Sequence, residues 1–362
     1  MSTDKSSAAS LSEAAVPVIA CKGLWKVFGD APESKLQDAL TQSGGDARAA
    51  ADLLIKDGMI AAVRDATFEV HAGEIFVIMG LSGSGKSTMI RCISRLMESA
   101  GGSIEIDGED ILKASPKRLI ELRRTKLGMV FQHFGLFPHM TVLDNVAFPL
   151  KMQGQNKQTR HARALEVINL VGLEGRENSY PRELSGGQRQ RVGIARSLAA
   201  DPELWFLDEP FSALDPLIRR QLQDEFLGIQ SRLKKSIVFI THDIAEALKL
   251  ADRIAIMRDG EIIQIGTPTE IVLNPVDDYV REFSRDVAKG RHARVASVMT
   301  AAKTIPAPKK GQPALRLDMT LEDALASCIS TYKPVTVIDD QGKAIGVVDP
   351  GDLAAALQVE AT

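Results

Sequence analysis

Cysteine is scarce in this chain. Cys21, Cys92 and Cys328 are the only three among 362 residues, and none has a CxxC or Cys/His partner spacing. That excludes a disulfide framework and the usual zinc sites, and it fits free thiols in a reducing compartment. A charge excess is missing too. The net charge is -3, with acids and bases intermixed, so the basic surplus of a nucleic-acid binder is absent. No uninterrupted apolar run is long enough to cross a bilayer. The N-terminal stretch MSTDKSSAASLSEAA has no apolar h-region, so no signal peptide is expected and residues 1–17 are expected to be disordered. These absences point to a soluble chain, and any work at a membrane requires another subunit to hold it there. What is present is core material. The chain is 44% hydrophobic, and its length suits roughly two to three domains.

The pattern along the chain is α/β. Val18–Gly29 reads as a strand. Between Asp30 and about Met59, apolar residues recur at helical spacing around Gly44–Gly45, which predicts two short helices. A strand is expected at about Arg64–His71, then the short apolar strand GEIFVIMG of the kind buried on both faces. A helix is expected over Thr88–Met97, a hairpin turns at Asp107–Gly108, and LGMVFQ is another strand. Residues 141–183 read as helical. LWFLDE and SIVFITHD are further buried strands, and Asp252–Gly266 is a hairpin turning at Asp259–Gly260.

GLSGSGKST, Gly80 to Thr88, fits GxxxxGK[ST], the phosphate loop, and it stands between a buried strand and a helix as that motif requires. The site then comprises Gly80, Leu81, Ser82, Gly83, Ser84, Gly85, Lys86, Ser87 and Thr88. Glycines let the backbone close on the phosphates, and the helix N-terminus adds partial positive charge. Lys86 is expected on the β- and γ-phosphates and Ser87 on Mg²⁺. In LWFLDE an acid ends a buried strand, which is costly without a partner. Asp208 is expected to hold Mg²⁺ through water and Glu209 to act as general base. His242 ends the next strand and could hydrogen-bond the γ-phosphate. Gln132 ends another and could reach Mg²⁺ and the attacking water.

A second anion-friendly loop, LSGGQ at Leu184 to Gln188, precedes a helix shortly before LWFLDE. With the phosphate loop, Gln132, SALD (Ser212 to Asp215) and His242 in this order, residues 18–285 resemble an ABC-type ATPase. The resemblance implies a P-loop fold, a RecA-like core plus a helical subdomain at about 133–185, with the insertion at about 30–60. It implies ATP and Mg²⁺ as cofactors. It also implies a head-to-tail dimer in which Ser185, Gly186, Gly187 and Gln188 of one copy face the γ-phosphate held by the other, with Asp215 at the same interface. Phe28 in KVFG matches the aromatic that stacks on adenine. The finer resemblance is to quaternary-amine importers for glycine betaine, proline betaine or choline. It rests on GEIFVIMGLSGSGKST with Leu81 where many relatives have proline, on GLFPHMTVLDNVAF, on FSALDPLIR and on the insertion. The implied place is the cytoplasmic face of a bacterial inner membrane, with permease subunits as partners and a substrate-binding protein behind them. Phe134, Leu136, Phe137 and Met140 suggest a groove for a permease helix, against the plainer reading of a subdomain core.

A proline-rich linker is expected over 286–314. Residues 295–357 resemble a single cystathionine-β-synthase (CBS) domain through SVMT, TLEDAL, PVTVIDDQGKAIGVVD and GDL. Such units normally pair and bind adenine nucleotides. Asp349 stands where a hydroxyl residue is common, and Asp352 matches a ribose contact. The tail is read as regulatory or as dimer-stabilising. Rival readings of the whole chain are an importer for an amino acid or polyamine, and a soluble ABC protein acting on DNA or ribosomes. The latter expects two cassettes, coiled-coil arms or basic surface, and none is evident in the sequence.

Overall fold

The computed structural model describes residues 16–132, 134–212, 214–284, 294–300, 314–328, 334–339, 341–349 and 352–353. The N-terminal 15 residues, most of the linker and all of residues 350–362 but Asp352 and Leu353 lie outside these.

The chain opens with β1 (Ile19–Phe28), α1 (Pro32–Gln42), α2 (Ala47–Lys56) and β2 (Ile60–Val70). The insertion is therefore the helix pair that the sequence predicts. Its apolar stripe has something to bury: Leu36, Ala50, Ala51 and Leu54 close on Trp25 and Val27 of β1 as a small separate core. β2 begins earlier than Arg64, because Ile60 and Ala61 continue the antiparallel ladder opposite Phe28 and Val27.

The main body continues as β3 (Ile75–Gly80), α3 (Lys86–Ile93), β4 (Gly101–Ile106), β5 (Glu109–Asp110), α4 (Pro116–Thr125) and β6 (Leu127–Val130). α3 stops short of Met97. Its Ser94 hydroxyl bonds back to the Ile90 carbonyl, and Arg95 then turns through a positive φ of 55°. Next come α5 (Val142–Met152), α6 (Lys157–Leu170), α7 (Gly186–Ala199), β7 (Leu204–Asp208), α8 (Pro216–Leu233), β8 (Ser236–Thr241) and α9 (Ile244–Leu250). The stretch 141–183 is thus two helices and a short 3-10 turn with irregular chain between. β9 (Arg253–Arg258), β10 (Glu261–Gly266), α10 (Pro268–Leu273) and α11 (Asp278–Ser284) complete this body.

A six-stranded sheet in the order β10-β9-β3-β8-β7-β6 lies at the centre. It is parallel except for the edge strand β10. Every residue of β3, β7 and β8 is buried, as their unbroken apolar runs require. A second, antiparallel sheet, β2-β1-β4-β5, packs its Ile19, Val63 and Ile104 on Phe76, Ile78 and Phe206 of the central sheet. α5, α6 and α7 form the helical subdomain. Asn145, fully buried in α5, holds the preceding loop. Its amide donates to the Phe137, Met140 and Thr141 carbonyls and its oxygen accepts the Phe137 N–H.

A small α+β unit comes last: β11 (Leu315–Arg316), α12 (Leu321–Cys328), β12 (Val335–Ile338) and β13 (Ala344–Val348). β12 pairs parallel with β11 and antiparallel with β13, over a core that includes Val295, Leu321, Val337 and Leu353. Both β12 and β13 fall within the stretch PVTVIDDQGKAIGVVD quoted for the CBS resemblance. Leu273 of α10 touches both this core and the main one.

Replacing Asn145 by Ala removes four bonds and leaves buried backbone groups unpaired. The substitution is expected to cost about 2–4 kcal/mol, read as a fall in the urea midpoint of the full-length chain.

Candidate functional site

β3 delivers the chain at Gly80 into the loop 81–85 and then into α3. A Cβ at Gly80 would lie 2.3 Å from the Met257 carbonyl oxygen. One at Gly85 would lie 2.2 Å from the Ala62 carbonyl, at a φ of +99°. Only glycine fits either place, which is the physical content of the motif. Lys86 is buried, and its ammonium donates to the Gly80 and Leu81 carbonyls, each at 2.9 Å. Burial pushes its pKa down, while Glu209 and Asp208 pull it back up. The loop thus carries a cation at its centre, solvated by its own backbone.

The parallel strands β7, β8 and β6 bring in the remaining groups. Asp208, the last residue of β7, is 1% exposed, and its Oδ1 accepts the Ser87 hydroxyl at 2.9 Å. Burial raises its pKa; the Ser87 bond and Arg91, whose guanidinium is 3.7 Å away, oppose the rise. Glu209 comes next with a φ of +45°, a conformation that non-glycine residues rarely adopt. The turn aims its carboxylate off the sheet. There Oε2 accepts Gln132 Nε2 at 3.3 Å and lies 3.1 Å from His242 Nδ1. Three strand ends, of β6, β7 and β8, therefore converge on one oxygen.

Except for Asp208, which lies behind the Ser87 hydroxyl, these groups share one cleft of 510 Å³, lined by Leu81, Ser82, Gly83, Gly85, Lys86, Ser87, Thr88, Gln132, Glu209 and His242 together with Ala62. Ser84 is buried beside Lys86, with its hydroxyl 3.5 Å from the ammonium. Phe28 does not line the cleft. It ends β1 opposite Ile60, is 38% exposed, and has Lys26 Nζ 4.8 Å above its ring. The LSGGQ segment lies apart from the cleft as well. Ser185 caps α7: its Oγ accepts the Gln188 N–H, and Gln188 Oε1 accepts the Ser185 N–H. Asp215 likewise caps α8 by accepting the Ile218 N–H. Neither Ser185 nor Asp215 meets Lys86 within one copy of the chain.

Two residues escape sequence reasoning. Ala62 has no chemical signal; the β2 register alone puts it against the loop. Arg91 has one, since it lies four residues after Ser87 and therefore on the same helical face.

A phosphate loop opening a helix, an acid pair ending a nearby parallel strand, and a histidine ending the strand between them define a P-loop nucleoside triphosphatase. The comparisons are narrower. A model of the ABC transporter family matches residues 63–212. The trimethylamine N-oxide transport system ATP-binding protein of Ruegeria pomeroyi is 55% identical over 334 residues, covering 92% of this chain and 95% of that protein. The glycine betaine transport ATP-binding protein of Bacillus subtilis is 45% identical over 92% of this chain and 76% of its own length. Among solved structures, a dimeric bacterial ABC transporter cassette superposes with a TM-score of 0.58 at 31% identity, over 69% of this chain and 98% of that one. The chain belongs to the ABC transporter ATP-binding protein family, and it is an ATPase. Among the described residues no helix is long and apolar enough to cross a membrane.

Gly85→Ala is expected to weaken ATP binding roughly tenfold or more, from the strain and the backbone clash together, while the far-ultraviolet circular dichroism is unchanged. Titration of the purified chain with ATP checks this.

Proposed function

We propose that this chain energises import of a small, fully N-methylated solute, with trimethylamine N-oxide first and the betaines next. The observation that carries the reading is the identity kept over nearly the whole chain, since the glycine betaine relative of Bacillus subtilis reaches as far but at 45%. Two trimethylamine N-oxide transport ATP-binding proteins, of Ruegeria pomeroyi and Pelagibacter ubique, are 55% and 50% identical over 92% and 93% of the chain. The match therefore extends through the insertion and beyond the catalytic core. The glycine betaine/proline betaine ATP-binding protein of Escherichia coli, at 51%, matches over 74%. Trimethylamine N-oxide and betaine share a cationic, methylated nitrogen balanced by an anionic oxygen, so one importer class suits both.

In this reading Lys86 exchanges the Gly80 and Leu81 carbonyls for the β- and γ-phosphate oxygens. Glu209 takes the proton of the attacking water, and His242 and Gln132 fix its carboxylate. The Ser87 hydroxyl and the Asp208 carboxylate are hard oxygen donors already side by side, and a buried, poorly compensated carboxylate suits Mg²⁺. When bound, that ion neutralises charge on the phosphates. Phe28 would need the nucleotide's adenine to extend toward the β1 end.

The spare donors of LSGGQ are assigned to a second copy; the structural relatives include dimeric cassettes. Ser185 Oγ accepts a bond within its own cap, so its O–H stays available to donate to a γ-phosphate. Gly186, Gly187 and Gln188 add the N-terminus of a 14-residue helix. Asp215, capping α8 with one carboxylate oxygen, keeps the other for the same interface.

The permease contact is proposed at an apolar groove of 360 Å³ lined by Phe131, Gly135, Phe137, Phe148 and Pro149, with Arg196 at its side. The segment 134–140 divides. Phe137 faces this groove; Phe134 lies under the Arg189 guanidinium, and Leu136 packs on the main core. The small C-terminal unit is proposed as a CBS-like regulator or dimer brace, and the periplasmic binding protein as the cargo selector.

In cells lacking the native gene, uptake of labelled trimethylamine N-oxide is expected with the wild-type chain and not with Glu209→Gln. Uptake of neither it nor glycine betaine, with ATPase activity intact in the purified complex, would sink the cargo class. Phe137→Asp is expected to abolish co-purification with the permease while ATP binding persists. Retention of the permease by that variant would move the groove elsewhere.

A further inference from the structure

We infer that Arg64 and Glu261 are positioning residues for the phosphate loop, and that the helical insertion steadies them through Arg48. The starting observation is how the middle of the loop is held. The Ser84 carbonyl accepts the Gly260 N–H at 3.0 Å. Gly260 lies in the turn between β9 and β10, and its own carbonyl accepts the Arg64 N–H of β2 at 2.9 Å. Two backbone bonds thus run from loop to turn to strand. The three segments also meet closely. A Cβ at Gly260 would lie 3.0 Å from the Ala62 carbonyl oxygen, at a φ of +87°. One at Gly85 would strike the same oxygen and come within 3.5 Å of the Gly260 Cα.

Side chains close the turn onto β2. The half-buried Arg64 donates from Nε to the Ala61 carbonyl at 3.1 Å, and one of its terminal nitrogens is 3.9 Å from Glu261 Oε1. Glu261 opens β10 and follows Gly260 directly. Its other oxygen accepts Arg48 Nε at 3.1 Å. Arg48 stands in the first turn of α2, the second helix of the insertion. One carboxylate therefore ties the strand behind the loop to the insertion. Ala61 makes the same tie by packing. It lies in the insertion's core with Leu36, Ala50 and Leu54, and the next residue, Ala62, lines the cleft.

The consequence arises when nucleotide enters. In the proposed function the Lys86 ammonium leaves the Gly80 and Leu81 carbonyls for the phosphates. The start of the loop then loses those two bonds. The bond from Gly260 to Ser84 does not involve Lys86, so it persists and holds the loop backbone while the cation moves. Its geometry depends on the turn, and the turn is gripped by Arg64 and Glu261. A site keeps its geometry only as well as its supporting shell is fixed. The insertion, which supplies no group to the cleft itself, serves here as that support.

The test is steady-state ATPase kinetics of the full-length chain assembled with its permease. Glu261→Met removes the charge and keeps the length of the side chain. It is expected to raise KM for ATP about fourfold, the scale of a partly exposed ion pair, with kcat within about twofold. Arg48→Ala is expected to raise KM about twofold by the same measure. The double variant is expected to match Glu261→Met alone, since Arg48 acts only through that carboxylate. Lys35→Ala breaks a different ion pair of the insertion, with Asp57 at 2.8 Å, and its KM is expected to stay at the wild-type value. An unchanged KM in Glu261→Met overturns the proposal. So does an equal rise in Lys35→Ala, which would reduce the effect to general loosening of the insertion. A double variant whose KM rises by the product of the two single effects overturns it too, because the two residues would then act apart.

Discussion

Every chemical group of this site hangs on the parallel pairing of β3, β8, β7 and β6. Parallel strands end at the same edge of a sheet, so the residues just past each strand are delivered to one place. The pairings run in step, with Ile78 opposite Ile240 and Asp208 opposite the same Ile240. A slip of one residue would turn Asp208 to the other face. The fully apolar strand interiors resist such a slip, because both faces are already packed. The core therefore does more than stabilise the body: it sets the distance from Lys86 and Ser87 to Asp208 and Glu209.

The groups so assembled are held in compensated but replaceable bonds. Lys86 is solvated by carbonyls of its own loop, Asp208 by the Ser87 hydroxyl, and Glu209 by Gln132 and His242. Burial disfavours the charged forms of both Lys86 and Asp208. A polyanion with its counter-ion answers both, one partner for each charge. The strained backbone at Glu209 fits the same picture, since it holds that carboxylate off the sheet. The α7 N-terminus stands outside this assembly with an exposed Ser185, and the proposed second copy gives it a use.

Much of this was legible in the residues. The phosphate loop, the acid pair and His242 have unusual spacings and end apolar strands, so their convergence follows from topology. The insertion was legible as two helices because Gly44 and Gly45 break an otherwise continuous apolar stripe. Other features have no local signal. Ala62 enters the cleft through a sheet register set by distant residues. β2 starts at Ile60 because its partner is Phe28. The capping roles of Ser185 and Asp215 were concealed by their position in motifs that also suit an interface. Phe137 and Leu136 are adjacent and both apolar, yet one faces the groove and the other the core; only the Asn145 bonds that fix the loop decide between them.

Hydrolysis is proposed to use a cleft completed by a second copy. Mixing two inactive variants, Lys86→Ala and Ser185→Arg, tests it most directly. Every site in either homodimer carries one defect. A mixed dimer concentrates both defects in one site and leaves the other intact. Steady-state ATPase activity of the mixture is expected to recover to about a quarter of wild type, as random pairing dictates for dimers. A mixture as inactive as its components would contradict the shared site and confine the chemistry to a single chain.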